Sequence, residues 1–259
     1  RLAPDGIMLV LPSDHLIREV KGFQAVIRHA VKIVERFDPL VTIGIPPTRP
    51  ETGYGYVQFN DASPDLPENV RRVKAFAEKP NLATAERFIA AGDFFWNSGI
   101  FLWTAKRILA EIEEHLPEQF HQLKHISSAI GTPRYQRILS SRYNRIRSIS
   151  IDYGIMEITS TPTYMLRGDF GWSDIGSWDE LYRITPKGRD GNVEVGEVIT
   201  LDVEKSFIYS PHRLIAVIGL DDILVVNTAN ATLISRLDRA QDVKTLVEVL
   251  RKEGKTRFL

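Results

Sequence analysis

The sequence predicts an α/β protein, a mixed sheet flanked by helices, followed by a small β-rich region. Three observations predict it. Ile7 to Leu11 and Leu40 to Ile45 are continuous apolar runs, short enough for strands. Between them, Phe23, Ile27, Ala30, Val31, Val34 and Phe37 recur at helical spacing. Near Thr185-Pro186-Lys187-Gly188-Arg189-Asp190-Gly191-Asn192 the composition shifts, and short β segments follow. The expected division is therefore 1–184 and 191–259.

The elements follow in order. Continuous apolarity at 7–11 suits a strand covered on both faces, as in parallel sheets. With the helix over 22–37, ended by Asp38-Pro39, and the strand over 40–45, it reads as a β-α-β unit with a right-handed parallel crossover. A proline-rich, then glycine-rich loop runs from Pro46 to Gly55. Strands are expected at 56–60 and 70–77, flanking an exposed acidic loop at 61–69. Asn81 caps a helix that stops at Gly92. Trp96 to Trp103 is a strand, and Thr104 caps a helix to His115. Residues 118–128 and 134–142 read as surface helices, and Ser150 caps a short helix over 151–158. A strand at 163–167 precedes the glycine-rich stretch 168–178 and a helix through Tyr182. The β-rich region reads as strands at 195–201, 206–209, 214–219, 223–227 and 232–235, closed by a helix over 242–252. Asp221-Asp222 is expected to turn a hairpin.

Bulk properties narrow the function. The 33 basic and 33 acidic residues balance, so no global field favours nucleic acid or an anionic membrane. With no cysteine, disulfides, thiolate metal sites and cysteine nucleophiles are excluded, and the chain fits a reducing, cytoplasmic compartment. No apolar run approaches the ~18 residues of a membrane span. The first residues do not form a signal peptide. The chain enters a strand almost at once, which reads as a chain lacking its natural beginning.

The stretch Arg72 to Trp103 gathers polar groups at strand ends. Glu78 and Lys79 close one strand and Asn97 opens the next, an arrangement that holds a polar ligand over an α/β sheet. A carboxylate accepts adjacent sugar hydroxyls and a lysine neutralises phosphate; an exposed charged turn reads equally well. Gly53 and Gly55 let backbone pass close to a ligand, or make an ordinary turn. Asp14 and Asp174 follow predicted strands and are candidate Mg²⁺ ligands, because Mg²⁺ takes few carboxylates and completes its shell with water and phosphate. Each reads equally as a cap on the helix after it. Trp96 and Trp103 read as core. His121 and His125 stand four apart as metal ligands can, but no acid completes an HExxH pattern, which argues against zinc. Asn230-Ala231-Thr232 matches a glycosylation sequon without a secretion signal. No serine–histidine–acid set presents itself.

Several stretches, taken together, resemble the sugar-nucleotide pyrophosphorylases, most closely the mannose-1-phosphate guanylyltransferases. They are LPSDH (11–15), TIGIPPTRPETGYGYV (42–57), FAEKP (76–80), FFWNSGIFLW (94–103), SIDYGIMEIT (150–159) and GDFGWSDIGSWDEL (168–181), with RLIAVIGLDDILVVNTANATLI (213–234) and DRAQDVKTLVEVL (238–250) beyond. The resemblance implies a Rossmann-like nucleotidyltransferase domain followed by a left-handed β-helix-like region over about 191–259. It implies formation of GDP-mannose and pyrophosphate from GTP and mannose 1-phosphate. Asp14 and Asp174 would hold Mg²⁺; Gly55, Glu78 and Asn97 would contact the sugar and Lys79 its phosphate; Tyr54 and Trp172 would shape the pocket. Asp14, Lys79 and Asp174 would be the catalytic set.

The family's glycine-rich loop, G-x-G-x-R-x-x-P, does not occur in this sequence. The expectation is little or no transferase activity from this chain by itself, and no isomerase activity, since no isomerase barrel is present. Two alternatives stand beside the enzyme: a non-catalytic sugar-phosphate-binding paralogue, and a pyrophosphorylase for another hexose 1-phosphate. A homodimer is left open, since the β-rich tail could pack on its own core or a partner's.

Overall fold

The computed structural model describes residues 3, 5–60 and 65–258. The chain divides into two compact units, Arg1–Trp172 and Ser173–Leu259. The sequence placed the break later, at 185–192. The division falls earlier because Trp178, Leu181 and Tyr182 pack against the core of the second unit.

In the first unit the elements are β1 (Ile7–Val10), β2 (Leu16–Ile17), α1 (Val20–Phe37), β3 (Leu40–Ile45), β4 (Tyr56–Phe59), β5 (Val70–Ala77), α2 (Leu82–Ala91), β6 (Phe94–Thr104), α3 (Ala105–His115), α4 (Pro117–Ala129), α5 (Tyr135–Tyr143), a π-helical turn (Asp152–Met156) and β7 (Thr163–Arg167). Of the expected acidic loop at 61–69, residues 61–64 lie outside the described residues. The caps behave as read: Asn81 Oδ1 accepts from Thr84 N at 2.9 Å, Thr104 Oγ1 from Arg107 N at 3.0 Å, and Gly92 ends α2 at φ 76°.

The main sheet is mixed, in the order β1-β6-β3-β7-β5-β4, and β4 also pairs with β6. β1 and β3 both run antiparallel to β6, so they are parallel to each other with β6 between them. The β-α-β reading needs that amendment. β1 differs from expectation in a second way. Among the described residues it stands at one end of the sheet, where Met8, Leu9 and Val10 are 43%, 39% and 38% exposed.

Side-chain alternation along β6 builds both layers of the core. Ile100 and Leu102 join Ile33 and Val34 of α1, while Phe101 and Trp103 join Ile108 of α3 and Ile155 and Met156 of the π-helical turn. Each such side chain contributes about 1.5–3 kcal/mol when fully buried. Trp96 and Trp103 are core, as read.

The second unit carries β8 (Trp172–Ser173, shared at the boundary), α6 (Trp178–Ile184), β9 (Val193–Leu201), β10 (Phe207–Ile218), β11 (Ile223–Asn227), β12 (Thr232–Arg236) and α7 (Val243–Lys252). The expected strands at 206–209 and 214–219 are one strand, β10, with an irregularity between Ser210 and Ile215. β9, β10 and β11 are parallel, and β12 closes antiparallel. Phe207 stands beside Val193 on one side and Leu224 on the other. The chain thus returns to the same position once per short coil, the stacking of a β-helix. Asp221-Asp222 therefore joins parallel strands rather than turning a hairpin. Asp222 takes φ 53°, and Asp221 Oδ1 accepts from Glu204 N at 2.9 Å. Among the described residues no helix is long and apolar enough to cross a membrane.

Candidate active site

Pairing brings Gly55, Glu78 and Asn97 together. Tyr56, the first residue of β4, stands opposite Ala77, the last of β5, and beside Trp96 of β6. Each strand's neighbouring residue then falls at one end of the sheet. Asn97 N–H donates to Gly55 O at 2.8 Å. A Cβ on Gly55 would stand 2.4 Å from Glu78 Oε2. Gly55 is thus a glycine of close approach, and it allows the Glu78 carboxylate to lie over the backbone.

Asn97 owes its aim to a bulge. β6 carries extra residues between its pairings with Gly44 and Thr42 of β3, and Gly99 takes φ 69° there. Bulges re-aim side chains beside functional sites. The Asn97 amide is oriented by its neighbours. Its Oδ1 accepts from Thr42 Oγ1 and Gly99 N, both at 3.2 Å, and its Nδ2 donates to Asp152 Oδ1 at 2.8 Å.

Lys79 sits just past β5 in the left-handed region, φ 46°, a conformation that disfavours a side chain. Its Nζ lies 2.8 Å from Glu78 Oε1. The Lys79 side chain is mostly exposed, while that of Glu78 is only 15% exposed. The Glu78 hydrogen bond raises the Lys79 ammonium above its ordinary range, against the opposing pull of burial. The simple exposed-turn reading of Glu78-Lys79 is not met: one residue is largely buried and the other strained.

Asp152 and Glu157 are the acids that the sequence reading did not single out. Burial, then the nearby Glu78 carboxylate, raises Asp152 above the ordinary carboxylate range; the Asn97 hydrogen bond and Lys79 work against this. Glu157 is raised by burial, then by Glu78 and Asp152. Both lie within SIDYGIMEIT (150–159), where an ordinary helix over 151–158 gives no reason to prefer either. The π-helical turn, with Glu157 N–H donating to Asp152 O at 2.9 Å, was the missing information. π-Helical turns recur at functional sites.

Tyr54 and Trp172 belong to an aromatic wall in the first unit. Tyr54 meets Trp96 and Trp172 edge-on at 5.2 and 5.3 Å between ring centroids, and Trp172 Nε1 donates to His15 Nδ1 at 3.1 Å. Tyr54 is buried, so it is a supporting wall more than a contact surface.

Asp14 is exposed beyond β1, in the first unit. Asp174 lies in the second unit, where its Oδ1 accepts from Gly176 N at 2.9 Å. Neither caps a helix. The residue preceding α1 is Glu19, and α6 is capped by Ser177. Both offer hard oxygen donors of the type Mg²⁺ takes. Among the described residues no group of three or more His, Asp or Glu side chains is arranged to hold a metal.

Residues 2–191 match the family model for nucleotidyl transferases, and residues 196–250 match the model for the mannose-phosphate isomerase/GMP-like β-helix domain. A putative mannose-1-phosphate guanylyltransferase of Vibrio cholerae is 36% identical over 98% of this chain and 54% of its own length. A mannose-1-phosphate guanylyltransferase of Escherichia coli is 37% identical over 97% of this chain and 52% of its own. The chain spans about half the length of the curated relatives it matches. A solved structure from Thermus thermophilus, described as a mannose-1-phosphate geranyltransferase, superposes with a TM-score of 0.80 at 27% identity, covering 95% of this chain and 70% of that one.

Proposed function

From the premise that the chain belongs to the nucleotidyl transferase family, we propose that its protein forms GDP-mannose and pyrophosphate from GTP and mannose 1-phosphate. The observation that carries the reading is the convergence of Gly55, Glu78, Lys79 and Asn97 at one end of the sheet. The relatives' names supply the sugar and the base.

In this reading Glu78 accepts hydroxyl hydrogen bonds from the mannose, and Gly55 leaves the space for it. Asn97, its carbonyl turned towards Thr42, presents the second Nδ2 hydrogen to the sugar. Lys79 exchanges its Glu78 partner for the sugar phosphate. The phosphate, mostly dianionic at neutral pH because its second pKa is about 6, attacks the α-phosphorus of GTP. A P–O bond forms there, the bond to the bridging oxygen breaks, and pyrophosphate leaves. No protein nucleophile takes part. The protein's share is position and charge neutralisation. Asp14 and Asp174 are the proposed Mg²⁺ ligands, on donor chemistry and motif position; the ion would offset phosphate charge when bound. A cysteine-free composition suits work in the cytoplasm.

The test is pyrophosphate release and GDP-mannose formation by the whole protein that contains this chain, with GTP, mannose 1-phosphate and Mg²⁺. Product with these substrates supports the reading. Preference for another hexose phosphate or nucleotide, or binding without turnover, replaces it with one of the two alternatives.

A further inference from the structure

The exposed face of α4 holds a pair of groups that the proposed reaction does not use. His121 and His125 are one helical turn apart, and their Nε2 atoms face each other at 3.1 Å. The rings meet edge to face, with centroids 4.6 Å apart and planes at 86°. We propose that these two imidazoles form a chelate that takes a borderline divalent transition metal, copper(II) ahead of zinc(II), with water completing its shell.

The geometry suits a shared ion. At a metal–nitrogen distance of about 2.0–2.1 Å, two nitrogens 3.1 Å apart subtend an angle of roughly 98° at the metal. That lies between the right angle of a tetragonal site and the tetrahedral angle, so small ring movements serve either. The backbone supplies the rigidity, since residues four apart on a helix are neighbours on one face. Without metal, one Nε2 must carry the hydrogen that the other accepts. Binding moves that proton to Nδ1 of the same ring, which frees both lone pairs without a net loss of charge. Arg142 is the nearby opposing cation; its Nη1 donates to Gln122 Oε1 at 3.3 Å. A site built on nitrogen bonds tolerates that cation better than a purely electrostatic one, and imidazole ligands follow the order in which copper(II) exceeds zinc(II). Among the described residues no third acidic or imidazole ligand joins the pair, so the site is open to water.

The test is titration of untagged protein with copper(II) alone, followed by calorimetry and electron paramagnetic resonance. One saturable nitrogen-ligated site per chain is expected. His121→Ala and His125→Ala should each weaken it by at least about tenfold, with circular dichroism unchanged because both side chains are on the helix surface. Zinc(II) should bind the same site more weakly. Absence of a saturable site, or a site that survives either substitution, overturns the proposal.

Discussion

Asn97 donates to Asp152 across 2.8 Å, although 55 residues separate them. The bond joins the bulge of β6 to the π-helical turn, two departures from regular structure that meet at one point. It also brings a second carboxylate beside Glu78, which is why the site is more acidic than its motifs suggested.

That acidity makes stability depend on pH. Asp152 has its folded value raised above the unfolded one, so its protonation contributes stability that is full below the unfolded value, about 3.8, and is lost as pH rises through the raised folded value. Asp152→Asn removes the charge but retains an acceptor for Asn97. At pH 7 the variant is expected to match or exceed the wild type in urea midpoint, and that advantage should disappear by about pH 3.8. A variant equally destabilised at both pH values would contradict the electrostatic account.

Lys79 separates binding from folding. Its φ of 46° costs about 1–2 kcal/mol relative to an ordinary conformation, and glycine does not pay it. The ion pair lost with it is open to solvent at its Lys79 end, although Glu78 is largely buried, and is worth about 0–1 kcal/mol. Lys79→Gly is therefore expected to hold or raise the thermal midpoint while weakening mannose 1-phosphate binding by about tenfold or more. A lower midpoint together with unchanged binding would reverse both halves of the argument.

Gly55 should accept no side chain without loss. In Gly55→Ala the new Cβ displaces Glu78 Oε2, the far end of a flexible side chain, so the fold survives and the carboxylate moves. Binding of mannose 1-phosphate should fall by about tenfold with little change in melting. Equal affinity in the two proteins would show that Glu78 does not use that space.

Glu111 anchors the segment that follows the π-helical turn. It is 2% exposed, accepts from Thr159 Oγ1 at 2.6 Å and from Thr161 Oγ1, and lies 3.5 Å from His115 Nε2. Glu111→Ala leaves the Thr159 and Thr161 hydroxyls without their acceptor, removes the carboxylate beside His115, and should cost about 2–4 kcal/mol in chemical denaturation. A loss below about 0.5 kcal/mol, the range of an uninvolved surface position, would show that the anchor is dispensable.

Much of this was legible in the sequence because it is written in local chemistry. Asn81, Thr104 and Gly92 announce helix ends through backbone groups that their own neighbours must satisfy. The Glu78, Asn97 and Gly55 cluster was legible through motifs, and the pairing of β4 with β5 and β6 explains why those motifs meet. What was not legible depends on distant partners. The apolar run of β1 does not say that β6 comes between it and β3. The expected strands at 206–209 and 214–219 read as separate, but pairing with β9 breaks after Ser210 and resumes at Ile215 within the one strand β10. Asp152 required the π-helical turn, whose one extra residue per turn leaves no periodic trace in so short a segment.

The central claim is that Glu78 and Lys79 hold the sugar phosphate, and calorimetric titration of mannose 1-phosphate into wild type, Glu78→Gln and Lys79→Ala tests it most directly. The account predicts saturable binding to the wild type and a loss of at least about tenfold in each variant, with melting temperatures preserved. Wild-type affinity in both variants would contradict it.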